Sequence, residues 1–371
     1  MKNAKELAYL RQLCCSGLGQ DIIVPELLTA VQRLIPSENN VYTTVNDRGF
    51  PTGAITEFFD PKAIALFSEL VPDFFVKNRE TIRRCDRMLA SGRVINDIRM
   101  FVPDIYRSDF YNLIWRPHGQ HHSLFGPVKI SGCVLAKISL FRPPSAKSFS
   151  LHEGELFAQL LPYVAHAVHK PANWDIIYDS CGEQGMLIAD SEGNVLHQSP
   201  TARRLLWLAV RQSPYLLEQA AVFDQANIIR WICRNLDAIF QNKHAPPPSF
   251  SHTNSCGRFI FKAYWLDKDN REPGSLIGIT IEHHEPQTLK LLRALKNLPL
   301  SPVQKEVALL MAQGIPSENI GIRLHIKYNT VKDHVRKIFN KLDIHSREEL
   351  LQTLLARAEK PEIVNQLRLF H

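Results

Sequence analysis

The 371 residues carry 44 Lys+Arg against 37 Asp+Glu, and a formal charge of +7 inclines the chain mildly toward a polyanionic partner. Hydrophobic residues make up 45%, enough for two or three domains to bury cores, and no apolar run approaches the roughly 18 residues that would suggest a membrane helix. Lys2, Lys5, Glu6 and Arg11 stand where a signal-peptide core would lie, so a cytoplasmic protein without membrane partners is expected. Cys14, Cys15, Cys85, Cys133, Cys181, Cys233 and Cys256 are odd in number and lack a C-x-x-C pair, which indicates neither a disulfide framework nor a zinc site.

Val41 to Asn46 and Ala54 to Phe59 read as strands, and Pro61 to Gly92 as helical with a break near Pro72. Ser131 to Phe141 is a further strand in which Val134, Ala136, Ile138 and Leu140 alternate. Pro143-Pro144 ends it. Ser150 with Glu153 makes a capping box, followed by a helical stripe of Phe157, Leu160, Leu161, Val164 and Val168. This α+β order resembles GAF domains, which implies a sensor-like domain over residues 1–170.

In residues 171–285, Gly185 to Asp190 and Val195 to Gln198 form a hairpin around Ser191 to Asn194, and Ala202 to Val210 a helix. After the break at Pro246 to Pro248, Arg258 to Leu266 and Ser275 to Glu282 make a second hairpin. Hairpin, helices, hairpin resembles the PAS order, although Ser199-Pro200 stands where many PAS domains have Asn-Pro. Two histidine-rich patches, His118, His121 and His122, and Glu282 to Glu285, fall in expected loops or at a strand end. Locally bonded side chains account for them without a metal. Residues 286–298 form a helical linker whose leucines, Leu291, Leu292, Leu295 and Leu298, suit either a second protomer or the preceding block.

Residues 299–371 carry the plainest pattern. Ser301 with Gln304 is a capping box, Pro302 occupies the first helical position, and Val303, Val307, Leu310 and Met311 form a stripe before Gly314. Pro316-Ser317 starts a short helix with Ile320 and Leu324, and His325 to Tyr328 make a turn. In the third helix Val331, Val335, Ile338, Phe339 and Leu342 point inward, while Lys332, Asp333, Arg336, Lys337, Asn340 and Lys341 lie outside that stripe. A fourth helix starts at Ser346, capped with Glu349, and buries Leu350, Leu351, Leu354 and Leu355. Residues 300 to 347 hold eight Lys/Arg and four acids, so the basic excess is concentrated here.

With Leu300-Ser301-Pro302, Glu306-Val307, Ala312-Gln313-Gly314, Ile320, Leu324, Ile326, Thr330-Val331-Lys332, His334-Val335, Lys341-Leu342 and Ser346-Arg347 at their spacings, residues 300 to 347 resemble the LuxR-type (NarL/FixJ-type) helix-turn-helix of bacterial transcriptional regulators. The resemblance implies that Lys332, Asp333 and Arg336 meet double-stranded DNA. Lys327, Asn329, Thr330, Lys337, Lys341, His345 and Arg347 complete the candidate interface. It also implies that the final helix pairs two protomers through Leu350, Leu351 and Leu354. Val303-Gln304 and Glu318-Asn319 depart from the family pattern. So does Lys327, which replaces a Ser or Thr cap worth about 1 kcal/mol, unless Asn329 caps the helix from a later start.

The expected fold class is therefore α+β multidomain, two α/β sensor-like domains followed by an all-α four-helix domain. The expected function is a homodimeric, sequence-specific transcriptional regulator responding to a small molecule or a protein, with RNA polymerase a further partner. No nucleotide loop, nucleophile elbow or H-E-x-x-H helix is present, so neither an enzyme nor a cofactor is expected. An interaction adaptor with a degenerate DNA-binding domain, suggested by Asp333 and Lys327, is the alternative.

Overall fold

The chain opens with α1 (Lys2–Cys14), which belongs to the second of two units. The computed structural model describes residues 2–46, 49–57, 61–169, 176–210, 225–254, 256–266 and 276–358. One unit comprises residues 17–169 and 210; the other comprises residues 2–16, 176–209 and 225–358. The boundary expected near 170 lies outside the described residues, as do residues 58–59 of an expected strand and residues 359–371. Among the described residues no helix is long and apolar enough to cross a membrane.

The first unit contains α2 (Gln20–Leu34), β1 (Val41–Val45), β2 (Pro51–Thr56), α3 (Pro61–Lys77), α4 (Arg79–Ala90), β3 (His122–Ile130), β4 (Cys133–Arg142) and α5 (Leu151–His169). Its antiparallel sheet has the order β2-β1-β4-β3. Ala136, Ile138 and Leu140 are buried as their alternation requires, and α5 covers β3 with Phe157, Leu160, Leu161 and Val164. A Cβ at Gly126 would lie 2.6 Å from the Phe157 ring, so this approach depends on glycine. Ser150 and Glu153 form the expected capping box, and Arg142 pairs with Glu153 at 2.5 Å.

Three expectations need correction here. The helix runs through Pro72 and stops at Asn78, whose amide donates to Phe74 O at 2.9 Å and competes with helix continuation. Strand β3 has no counterpart among the expected strands; it is an edge strand, where the missing N–H of Pro127 is tolerated. The histidines expected in a loop lead into and open that strand. His121 Nδ1 lies 2.6 Å from the Tyr111 hydroxyl, its ring stacks 4.1 Å from Tyr106, and burial lowers its pKa.

The second unit has a five-stranded antiparallel sheet of order β6-β5-β9-β8-β7, built from β5 (Tyr178–Asp190), β6 (Val195–Gln198), β7 (Ser249–Asn254), β8 (Gly257–Leu266) and β9 (Leu276–Pro286). The expected β5–β6 turn is held by Asp190 Oδ1, which accepts from Glu192 and Asn194 backbone N–H groups. α6 (Pro200–Val210) and α7 (Gln225–Phe240) contribute Leu205, Leu206, Ile229 and Ile232 to a core with Leu187, Phe259, Phe261, Ile277, Ile279 and Ile281. A Cβ at Gly185 would come within 2.5 Å of the Ala202 backbone. His283 is buried in β9 and donates from Nε2 to Cys256 O at 2.8 Å.

After β9 come α8 (Gln287–Lys296), α9 (Pro302–Ala312), α10 (Ser317–Leu324), α11 (Tyr328–Leu342) and α12 (Arg347–Arg357). α8 packs on β9, α9, α12 and α1, so Leu291, Leu292 and Leu295 are buried by their own chain. Lys290 pairs with Asp179 at 2.6 Å, and buried Arg293 pairs with buried Glu285. The molecule is thus α+β, with two sheet-containing regions followed by a helical C-terminal region.

Candidate nucleic-acid interface

Local chemistry sets each turn of the helical region. Ser301 and Gln304 satisfy one another's backbone N–H groups in a complete capping box. At the other end of α9, Gly314 takes φ +77°, Gly314 N–H donates to Met311 O and Ile315 N–H to Leu310 O, a Schellman motif. The stripe of α9 is shifted from expectation. Val303 is 41% exposed and Gln304 is buried in its place with Val307, Ala308 and Met311.

α10 ends on His325 at φ 53°, and Ile326 N–H returns to Gly321 O at 3.0 Å. Gly321, which no local sequence signal marks, is what lets this turn close. A Cβ there would lie 2.9 Å from Ile326 O, so the turn into α11 closes tightly only over glycine. α11 starts at Tyr328 after Lys327, which makes no side-chain cap. Asn329 therefore lies inside the first turn and does not cap it, contrary to the later start considered above.

Helical geometry places Asn329, Lys332, Asp333, Arg336 and Asn340 on one exposed face of α11, with Thr330 and Lys337 at its edge. Val331 and Ile338 are fully buried on the opposite side. Lys332 Nζ lies 4.6 Å from the Tyr328 ring centroid, and Arg336 Nη2 lies 3.4 Å from Asp333 Oδ1. Val335 and Phe339, expected in the core, are only half-buried. With Ile344 they floor a surface hollow of about 400 Å³, bordered by Ser317, Lys332, Arg336, Asn340, Asp343 and His345. Lys327 and His345 are exposed close in sequence to the two ends of α11.

Four other expected site residues have different work. Lys341 Nζ donates to Pro299 O and to Gln304 Oε1, both at 3.0 Å, so its charge tethers α11 to the start of α9. Arg347 donates to Ile315 O at 3.0 Å and to Ser317 Oγ at 2.7 Å, fixing α12 against the α9–α10 turn. Leu350 and Leu354 are 0% exposed and face their own chain, where α12 meets α8 and α9, so they offer no surface to a second protomer. Leu351 is half-buried. Ser346 Oγ accepts from Glu349 N–H at 3.0 Å, but the Glu349 carboxylate reaches back to His345 N–H and leaves the box skewed by one residue.

The family model "Bacterial regulatory proteins, luxR family" matches residues 298–354, and this segment is a LuxR-type helix-turn-helix DNA-binding domain. No curated protein matches the chain. Among solved structures, the sensor region of a sensor histidine kinase aligns at 15% identity over 44% of this chain with a TM-score of 0.18; the chain spans 63% of that protein, less than two thirds. A Vibrio cholerae VqmA–ligand–DNA complex aligns at 15% identity over 50% of this chain and 88% of VqmA, with a TM-score of 0.24. A phage VqmA–DPO complex aligns at 16% identity over 50% and 89%, with a TM-score of 0.18.

Proposed function

We propose that the chain is a cytoplasmic transcriptional regulator that binds double-stranded DNA sequence-specifically through the LuxR-type domain at residues 298–354. The observation that carries this reading is the outward face of α11, where Asn329, Lys332, Asp333 and Arg336 project together just after a closed turn. A helix so placed enters the major groove, with its early residues at base edges and cations at phosphates. In this reading the protein acts as a homodimer on a two-fold site, its sheet-containing regions receive a small molecule or a protein, RNA polymerase is a downstream partner, and no step of catalysis belongs to the chain.

Titration of the full chain against the duplex upstream of its own gene, at several salt concentrations, tests this. Specific binding with a steep salt dependence supports the reading. An absence of binding at low salt supports instead the adaptor alternative, in which Asp333 blocks the phosphate approach, and an equal affinity for scrambled duplex overturns the sequence specificity. Native mass spectrometry of protein from its own host tests the dimer and any retained small molecule.

A further inference from the structure

α1 is joined in sequence to the first unit, which begins at Gly17, yet it packs in the unit that holds the DNA-binding domain. Its contacts are those of a fitted element. Tyr9, Leu10, Leu13 and Cys14 are at most 3% exposed. Glu6 meets Lys296 of α8 at 2.7 Å, and both side chains are nearly buried. The same ammonium lies 5.1 Å from the Tyr9 ring centroid, and Gln12 Nε2 donates to Pro302 O at the first residue of α9. Lys305 Nζ donates to Lys296 O at 2.6 Å, and burial together with Lys5 and Lys296 lowers its pKa. Lys5, Lys296 and Lys305 thus gather three cations here, and Glu6 pairs with the Lys296 ammonium.

We propose that α1 is a clasp through which the N-terminal region acts on the DNA-binding domain, by holding the seam between α8 and α9. This rests on the DNA-binding reading above. The seam matters because α8 is also the element fastened to the sheet by Lys290–Asp179 and Arg293–Glu285 and packed against α12. With α1 seated, the outer face of α11 is exposed, so the clasped state leaves that face open to DNA. Unseating α1 frees the orientation of the helix-turn-helix, and two half-sites at fixed spacing then charge its ordering against affinity.

The test uses the full chain carrying Glu6→Lys, Lys296→Glu, both together, or the milder Glu6→Gln, with amide exchange and titration of the upstream duplex as readouts. Glu6→Lys places a fourth cation in the cluster. It is expected to lose exchange protection over residues 289–300 and to weaken specific binding at least about fivefold, the lower end of ordinary site-to-site coupling. An added positive charge would by itself favour DNA, so this sign separates the clasp from long-range electrostatics. The double variant should recover both readouts, and Glu6→Gln should show a smaller loss of each should Glu6→Lys fail to fold. Unchanged affinity in Glu6→Lys, or in a folded Glu6→Gln whose protection has fallen, overturns the proposal. A loss that the charge exchange does not recover overturns it too. If the unaltered chain binds no DNA, it is the DNA-binding reading that falls, and the clasp with it.

Discussion

Asp333 and Arg336 form an ion pair at 3.4 Å on the outer face of α11, with side chains 61% and 73% exposed. Exposed pairs of this kind contribute under about 1 kcal/mol, whereas a good bidentate contact to a base discriminates by about 1–3 kcal/mol. The pair therefore orients Arg336 without preventing it from leaving for guanine.

Arg336→Ala is expected to cost roughly 1 to 3 kcal/mol in cognate binding and to relax preference at one base pair. Asp333→Ala removes the charge that repels phosphate and should raise affinity for scrambled duplex, while discrimination at a cytosine falls. Titrations of both variants against cognate and scrambled duplexes check this. Equal losses on the two duplexes for Arg336→Ala would sink its base-reading role.

Lys332 stands beside Tyr328 at the start of the exposed face, where a backbone phosphate rather than a base edge is in reach. Lys332→Ala should weaken binding to all sequences alike and lower the salt slope by about one unit. Lys341→Ala is expected to behave differently, because its ammonium serves the cap of α9: it should lower the unfolding midpoint more than the salt slope. An unchanged midpoint with a reduced slope would return Lys341 to the DNA surface.

Within the helix-turn-helix region two helices end on non-glycine residues in the left-handed region, His325 at φ 53° and Asp343 at φ 54°. Asp343 also sets a carboxylate at the C-terminus of α11, where the helix dipole disfavours it. Relief of the left-handed strain exceeds the extra freedom glycine has when unfolded, so Asp343→Gly should stabilise the chain by up to about 1 kcal/mol. Denaturant unfolding checks this, and a lower midpoint would refute it.

Burial holds the pKa of His283 below the usual imidazole range, and the neutral ring donates from Nε2 to Cys256 O. Its unfolded form therefore binds more protons at mildly acid pH. Stability from this site is complete above about pH 6.5, the ordinary imidazole value, and is lost as pH falls through the lower folded value. His121 and His252 are shifted the same way, so the acid loss in His283→Gln should be reduced but not abolished. Thermal unfolding across that window measures it, and an undiminished acid loss would contradict the assignment.

What the amino-acid order determined by itself is local. Ser301–Gln304, Gly314, the turn after α10 and the cationic face of α11 are set within a few residues by backbone caps and helical periodicity, so they were legible without a fold. The same holds for Ala136, Ile138 and Leu140 in β4 and for the Ser150–Glu153 box. What depended on distant partners was not legible. Pro127 fits a strand only because β3 is an edge, Lys341 and Arg347 reach the carbonyls of Pro299 and Ile315 on either side of α9, and Leu350 and Leu354 are buried where α12 meets α8 and α9. An apolar stripe or a basic side chain specifies that it will find a partner. Only the tertiary structure decides which partner, because burial and hydrogen-bond satisfaction depend on the surface adjacent in space and not in sequence.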